Sequence, residues 1–297
     1  MRSTAAKIAG GVLVLFALVA VFGPLIVPYD GVATSVTDRL LPPGSTLSDG
    51  GFALLGTDQD GRDVFAQFIA GSRVSLLVAG TVVVVGGLVG LVLGLLAGYY
   101  GGWLDTVISR VGDMQLAFPS ILLAILVAGV LGPSLLNVII ALAVTRWVIF
   151  ARVVRGSALA ARNREFVDSA RVMGASDVRI MARYVFPSCV QPLVVAATMQ
   201  VGLTMVAEAA LSFLGLGVPL DQASWGSTIA NGRDYLDSAW WIATVPGVAL
   251  TLVVICVGVL GDAFRDGTDP KSAKNRKATA NPATPETPAV IHQAESR

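Results

Sequence analysis

Histidine occurs once, at His292 in a polar tail, and cysteine twice, at Cys189 and Cys256, both inside apolar segments and without CxxC spacing. The first scarcity speaks against zinc hydrolysis and against a histidine-activated nucleophile; the second indicates neither a disulfide framework nor a metal site. Lysine is confined to Lys7, Lys271, Lys274 and Lys277, none after a glycine-rich turn, so there is no GxxxxGK[ST] phosphate loop. If ATP drives anything here, a different chain binds it; this chain is expected to carry no cofactor and no catalytic residue. Charge is scarce as well, since 14% of the 297 residues are charged against 54% hydrophobic. That balance belongs to a polytopic membrane protein, not to a soluble domain.

The apolar runs are long enough to count. The first, about Ile8 to Val27, crosses a ~30 Å hydrocarbon core at about 1.5 Å per residue and shows no small-residue cleavage site, so it reads as a retained helix. Further spans are expected at about Val74 to Gly98, Met114 to Leu131, Leu135 to Phe150, Cys189 to Leu211 and Trp240 to Leu260, giving an all-α protein with six transmembrane helices. Asp60 and Asp63 followed by Val64, Phe65, Phe68 and Ile69 suggest a short interfacial helix feeding the second span. Gly86, Gly90, Gly94 and Gly98 recur every four residues, a small-residue face that lets a neighbouring helix backbone come close. Pro192 falls in the first turn of the fifth span, where a missing amide costs little. The segment 212–241, with Gly215, Gly217, Trp240 and Trp241, suggests a re-entrant or surface-lying element.

Between the fourth and fifth spans lies a charged island, 156–187, around which Arg152, Arg155, Arg162, Arg164, Arg171, Arg179 and Arg183 gather against Glu165, Asp168 and Asp177. Such an island must lie in water on one face of the bilayer. Its grammar is helix, turn, helix: Gly174 suits a left-handed turn, Ser176 and Asp177 can cap the second helix, and Pro187 ends it. Phe166, Ala170 and Met173 share one helical face, and Val178, Met181, Ala182 and Val185 another, so the whole reads as a basic knob with an apolar stripe that docks on another protein.

The order Asp168-Ser169-Ala170, three residues, Gly174, nine residues, Tyr184-Val185-Phe186-Pro187 resembles the EAA loop of ABC-importer permeases, with Asp for Glu and Ser for the first Ala. The stretch GTDQDGRDVFAQFIAGSRVSL from Gly56 and the stretch SFLGLGV…SWGSTIANGRDYL from Ser212 resemble segments of the C-type permeases of dipeptide and oligopeptide importers. The resemblance implies the type I ABC importer permease fold. It also implies a second, homologous permease, one or two cytosolic ATPase subunits carrying ATP and magnesium, and an extracytoplasmic peptide-binding protein, with membrane lipid around the chain and no nucleic acid. Glu165, Asp168, Ala170, Gly174, Ala175, Asp177, Arg179 and Pro187 are then the residues expected to couple to the ATPase. In that reading Asp168 meets a basic group on the partner, Gly174 makes the turn and Pro187 enters the next membrane helix. Import of nickel or another small solute by the same family is the alternative; a channel or secondary transporter would leave the knob unexplained.

The expected organisation is an N-terminal membrane helix at 1–28, an extracytoplasmic loop with an interfacial helix at 29–73, a permease core at 74–267, and a disordered cytoplasmic tail at 268–297. With both termini in the cytoplasm, sixteen Lys and Arg lie inside and four outside, which fixes the orientation in the plasma membrane. Two charges fall within the bilayer, Arg146 and Glu208. They are read either as a structural pair with each other or a neighbouring subunit, or as groups lining an aqueous pathway in which Arg146 meets a substrate carboxylate.

Overall fold

A computed structural model describes residues 2–219 and 221–268. Apart from a two-stranded hairpin, β1 (Ser45–Thr46) and β2 (Phe52–Ala53), the regular structure is helical. The helices are α1 (Arg2–Ile26), α2 (Val64–Tyr100), α3 (Gly102–Leu116), α4 (Ser120–Leu131), α5 (Leu135–Arg162), α6 (Glu165–Val172), α7 (Asp177–Ile180), α8 (Phe186–Phe213), α9 (Trp225–Gly232) and α10 (Trp241–Thr268). Five of the helical stretches are long and apolar enough to cross a membrane by themselves, and α3 with α4 makes a sixth if taken as one broken span. The expected tail from 269 onward lies outside the described residues.

Three elements differ from the sequence reading. The expected third span, about Met114 to Leu131, lies on two helices, α3 and α4, that meet at 87°. The break falls at Ala117, Phe118 and Pro119, where proline disfavours helical geometry in the residue before it and supplies no amide. Contacts along α5 nevertheless run in order: Asp105 meets Arg155, Gln115 meets Trp147 and the Val144 carbonyl, and the Leu131 carbonyl meets Asn137. The bent pair thus meets α5 in reverse order from Arg155 to Asn137, the order that a single broken crossing gives.

The interfacial helix expected before the second span is not separate. It is the first part of α2, whose 37 residues reach about 55 Å. Val64 and Ile69 are buried against protein, and Phe68 stacks on Trp225 with ring centroids 5.7 Å apart, so this stretch is held by packing where an interface-lying helix would be held by lipid. Helix α8 begins at Phe186, so Pro192 lies in its interior and leaves the Ser188 carbonyl without its helical donor. Segment 212–241 turns back on the bundle: Trp225 is buried between Phe16 and Phe68 and donates from Nε1 to the Phe68 carbonyl at 3.0 Å.

The long pairing of α2 with α5 is the spine of the bundle. A Cβ built on Gly90 would lie 2.5 Å from that of Phe150, on Gly94 2.5 Å from the Ala151 carbonyl, and on Gly98 2.7 Å from the Ala158 Cβ, while at Gly86 the same atom stays 3.5 Å from Arg146. Three of the four glycines are thus places where only hydrogen fits. Inside lipid, where burial of apolar surface gives no driving force, such close packing is a principal source of helix association.

The loop 29–63 is pinned by buried acids. Asp58 accepts from the Asp60 amide at 2.9 Å, the Arg62 amide at 2.8 Å and Gln67 Nε2 at 2.6 Å. Burial pushes its carboxyl above the ordinary carboxylate range, and these donors oppose that shift.

Candidate functional site

The charged island folds into a compact elbow at one end of the bundle. Helix α5 runs past its expected end to Arg162, α6 follows at once, and Gly174 turns the chain at φ +81°. The turn closes as a Schellman motif: the Gly174 amide donates to the Arg171 carbonyl at 3.0 Å and the Ala175 amide to that of Ala170 at 3.1 Å. The left-handed conformation is what glycine tolerates without a steric penalty.

After the turn, Ser176 stands at the N-cap position of α7 without a side-chain capping bond, and Asp177 does not cap either. Its carboxylate is taken by Tyr99, whose hydroxyl donates to Oδ1 at 2.6 Å. Nor does Pro187 end the second helix. The chain passes through a π turn at Met181–Val185, where the Phe186 amide reaches the Met181 carbonyl, and continues into α8 with Pro187 in its first turn. Pro187 offers no amide to the Arg183 carbonyl and its ring would crowd that oxygen. The wider turn accommodates both defects and lets the helix run on.

The two apolar faces read from the sequence divide between burial and exposure. Val167, Ala170, Ile180 and Val185 pack with Tyr99, Val154, Ala158, Ala161 and Cys189. Phe166 and Met173, placed with Ala170 by periodicity, point outward, as does Val178. Phe166 lies against Tyr184, ring centroids 6.2 Å apart. The result is an exposed apolar tip, with Val172 89%, Met173 77% and Val178 64% exposed. Exposed Arg164, Arg171, Arg179 and Arg183 belong to the same elbow. Of the residues expected to couple, Glu165, Asp168, Gly174, Asp177, Arg179 and Pro187 are exposed, Ala175 is half-buried and Ala170 is buried. Asp168 pairs with Arg171 at 3.1 Å. Behind the tip, a cavity of about 470 Å³ is lined by Tyr99, Tyr100, Arg162, Asn163, Asp168, Arg171 and Asp177.

Arg146 and Glu208 are not partners. Arg146 donates from Nη2 to the Leu203 carbonyl at 3.2 Å, its Nε has no partner among the described residues, and it lines a cavity of about 280 Å³ with Ser120, Thr145 and apolar side chains of α4, α5 and α8. Glu208, read either as a structural partner or as a pathway group, is fully buried: Ser75 Oγ donates to Oε2 at 3.1 Å and Ser212 Oγ to Oε1 at 2.8 Å. The Trp225 amide donates in turn to Ser75 Oγ at 3.3 Å. Glu208 thus ties α2, α8 and the start of α9 together. Ser75 and Ser212 were missed in the sequence; the four-residue step from Glu208 to Ser212 was the one available signal.

Bundle and elbow together define a multi-pass helical membrane protein with a basic, apolar-tipped elbow at one end. Comparison with known proteins places it further. Residues 90–274 match the family described as binding-protein-dependent transport system inner membrane component, and residues 1–43 match the N-terminal TM domain of oligopeptide transport permease C. A putative peptide transport system permease protein of Brucella suis is 43% identical over 91% of this chain and 89% of its own. A di/tripeptide transport system permease protein of Pseudomonas aeruginosa is 40% identical, over 88% and 87%. A glutathione transport system permease protein of Pectobacterium atrosepticum is 38% identical, over 91% and 88%. Among solved structures, an amino acid ABC transporter aligns over 67% of this chain and 93% of its own with TM-score 0.54 at 16% identity, which speaks to the fold. The chain belongs to the family of inner membrane components of binding-protein-dependent transport systems.

Proposed function

We propose that this chain is the C-type permease of an ATP-driven importer of dipeptides or oligopeptides. It forms half of the pathway with a homologous permease and is moved by a cytosolic ATPase that grips the elbow. The observation that carries the reading is the Schellman-closed turn that holds Val172, Met173 and Val178 in the open. Apolar side chains that exposed on an otherwise basic knob suit burial in a partner's groove. The asymmetry of sixteen Lys and Arg against four supports an elbow facing the cytoplasm. The chain itself is non-catalytic, with ATP and magnesium on the partner. Peptide is favoured over nickel or another small solute by the relatives, which are named for peptide, di/tripeptide and glutathione transport.

The test is co-purification with the ATPase subunit together with uptake in proteoliposomes. Val172→Asp with Met173→Asp should abolish the association and ATP-dependent peptide uptake while leaving the permease in the membrane. Steady uptake by the permeases alone, with no ATPase present, would overturn the reading.

A further inference from the structure

Two limbs of the elbow end on one residue of another helix. Tyr99 stands one residue before the end of α2 and is 5% exposed, within the cluster that holds Val167, Ala170 and Ile180. Its hydroxyl donates to Asp177, the first residue of α7, at 2.6 Å, and its carbonyl accepts from Arg162 Nη1, on the last residue of α5, at 2.8 Å. Arg162 is where the chain enters the elbow and Asp177 is where it turns back toward the bundle. A single side chain and its own carbonyl therefore bridge entry and exit.

The elbow needs such a bridge because its own exit limb is a weak strut. Helix α7 starts without a side-chain cap, and after four residues a π turn interrupts its regular ladder before the helix continues into α8. An uncapped helix start and a π bulge are local defects in the regular ladder, so a load on the tip would be spent in bending there. A hydrogen bond from a hydroxyl to a carboxylate, partly shielded by the ring beneath it, is of the stronger kind. It fastens the soft limb to α2, which is locked along α5 by Gly90, Gly94 and Gly98.

We propose that Tyr99 is a positioning residue for energy coupling: its hydroxyl braces the elbow on α2, so that displacement of the tip moves the α2 and α5 pair as one body. The proposal rests on the elbow being the ATPase contact. Arg162 and the carbonyl of Tyr99 fix the other limb regardless of side chain, so the hydroxyl is the part that a substitution can remove alone.

The experiment uses the complete transporter in proteoliposomes, with peptide uptake and ATP hydrolysis measured on the same sample. Tyr99→Phe keeps the ring and removes the bond. It should leave assembly and ATP hydrolysis intact while uptake per ATP hydrolysed falls about tenfold, the scale expected for losing a bond to a charged acceptor. Asp177→Ala should give the same loss, the double variant should be no worse than either alone, and Asp177→Asn, which keeps an acceptor oxygen, should restore most of the ratio. A wild-type ratio for Tyr99→Phe, or losses in Tyr99→Phe and Asp177→Ala that add, would overturn the brace. So would parallel loss of hydrolysis and uptake with failed assembly in both variants, because the role would then be structural. Failure of the elbow reading is separate: it is signalled by ATPase association that survives the Val172→Asp, Met173→Asp change, whatever Tyr99 does.

Discussion

Arg146 is the residue whose position is hardest to explain by packing. An ionisable side chain near the middle of a span costs at least about 2.5 kcal/mol without a partner or water, and here one hydrogen bond to a backbone carbonyl is all that the described residues supply. Its opening onto a cavity supports a place on the pathway. If it meets substrate, Arg146→Ala should change the uptake rate or the preference among peptides of different charge, measured in the reconstituted transporter; equal uptake across acidic, neutral and basic peptides would remove that role. Glu208 shows the opposite case. As an acid in an apolar run it was legible in the sequence, but one of its donors, Ser75, lies 133 residues away and no local pattern announces it. The same holds for Tyr99 and Asp177, 78 residues apart.

Among elements, the α2 and α5 pair is where sequence and structure meet most closely. A four-residue glycine step is a local pattern that needs no tertiary knowledge to read, and the observed closeness at Gly90, Gly94 and Gly98 follows from it. Gly90→Leu must push α5 away at Trp147, Phe150 and Ala151, and overpacking of this kind costs about 1–3 kcal/mol. The purified protein should therefore show a lowered Tm in detergent, whereas Gly80→Leu, where an added Cβ meets nothing within 4 Å, should not. An unchanged Tm for Gly90→Leu would mean the helices are free to separate. Helix ends were less legible. Pro187 reads as a stop because proline breaks a regular ladder, yet a π turn carries the helix through, and Pro119 bends a span that hydropathy alone draws straight. Hydropathy counts apolar residues and is blind to a missing amide.

For the whole molecule, the proposed orientation is the statement most open to direct test. Met173→Cys, in a background of Cys189→Ser and Cys256→Ser, should react with a membrane-impermeant maleimide in inside-out vesicles and stay protected in intact cells. Labelling from the outside would place the elbow on the wrong face for an ATPase. The sequence by itself determined the apolar runs, the basic island and the glycine turn within it, because each depends on residues close together in the chain. Only the tertiary structure decided that the third crossing is broken, which faces of the elbow are buried, and what holds Glu208 and Asp177. Those outcomes depend on which distant helices arrive beside a residue, and a one-dimensional period does not contain that information.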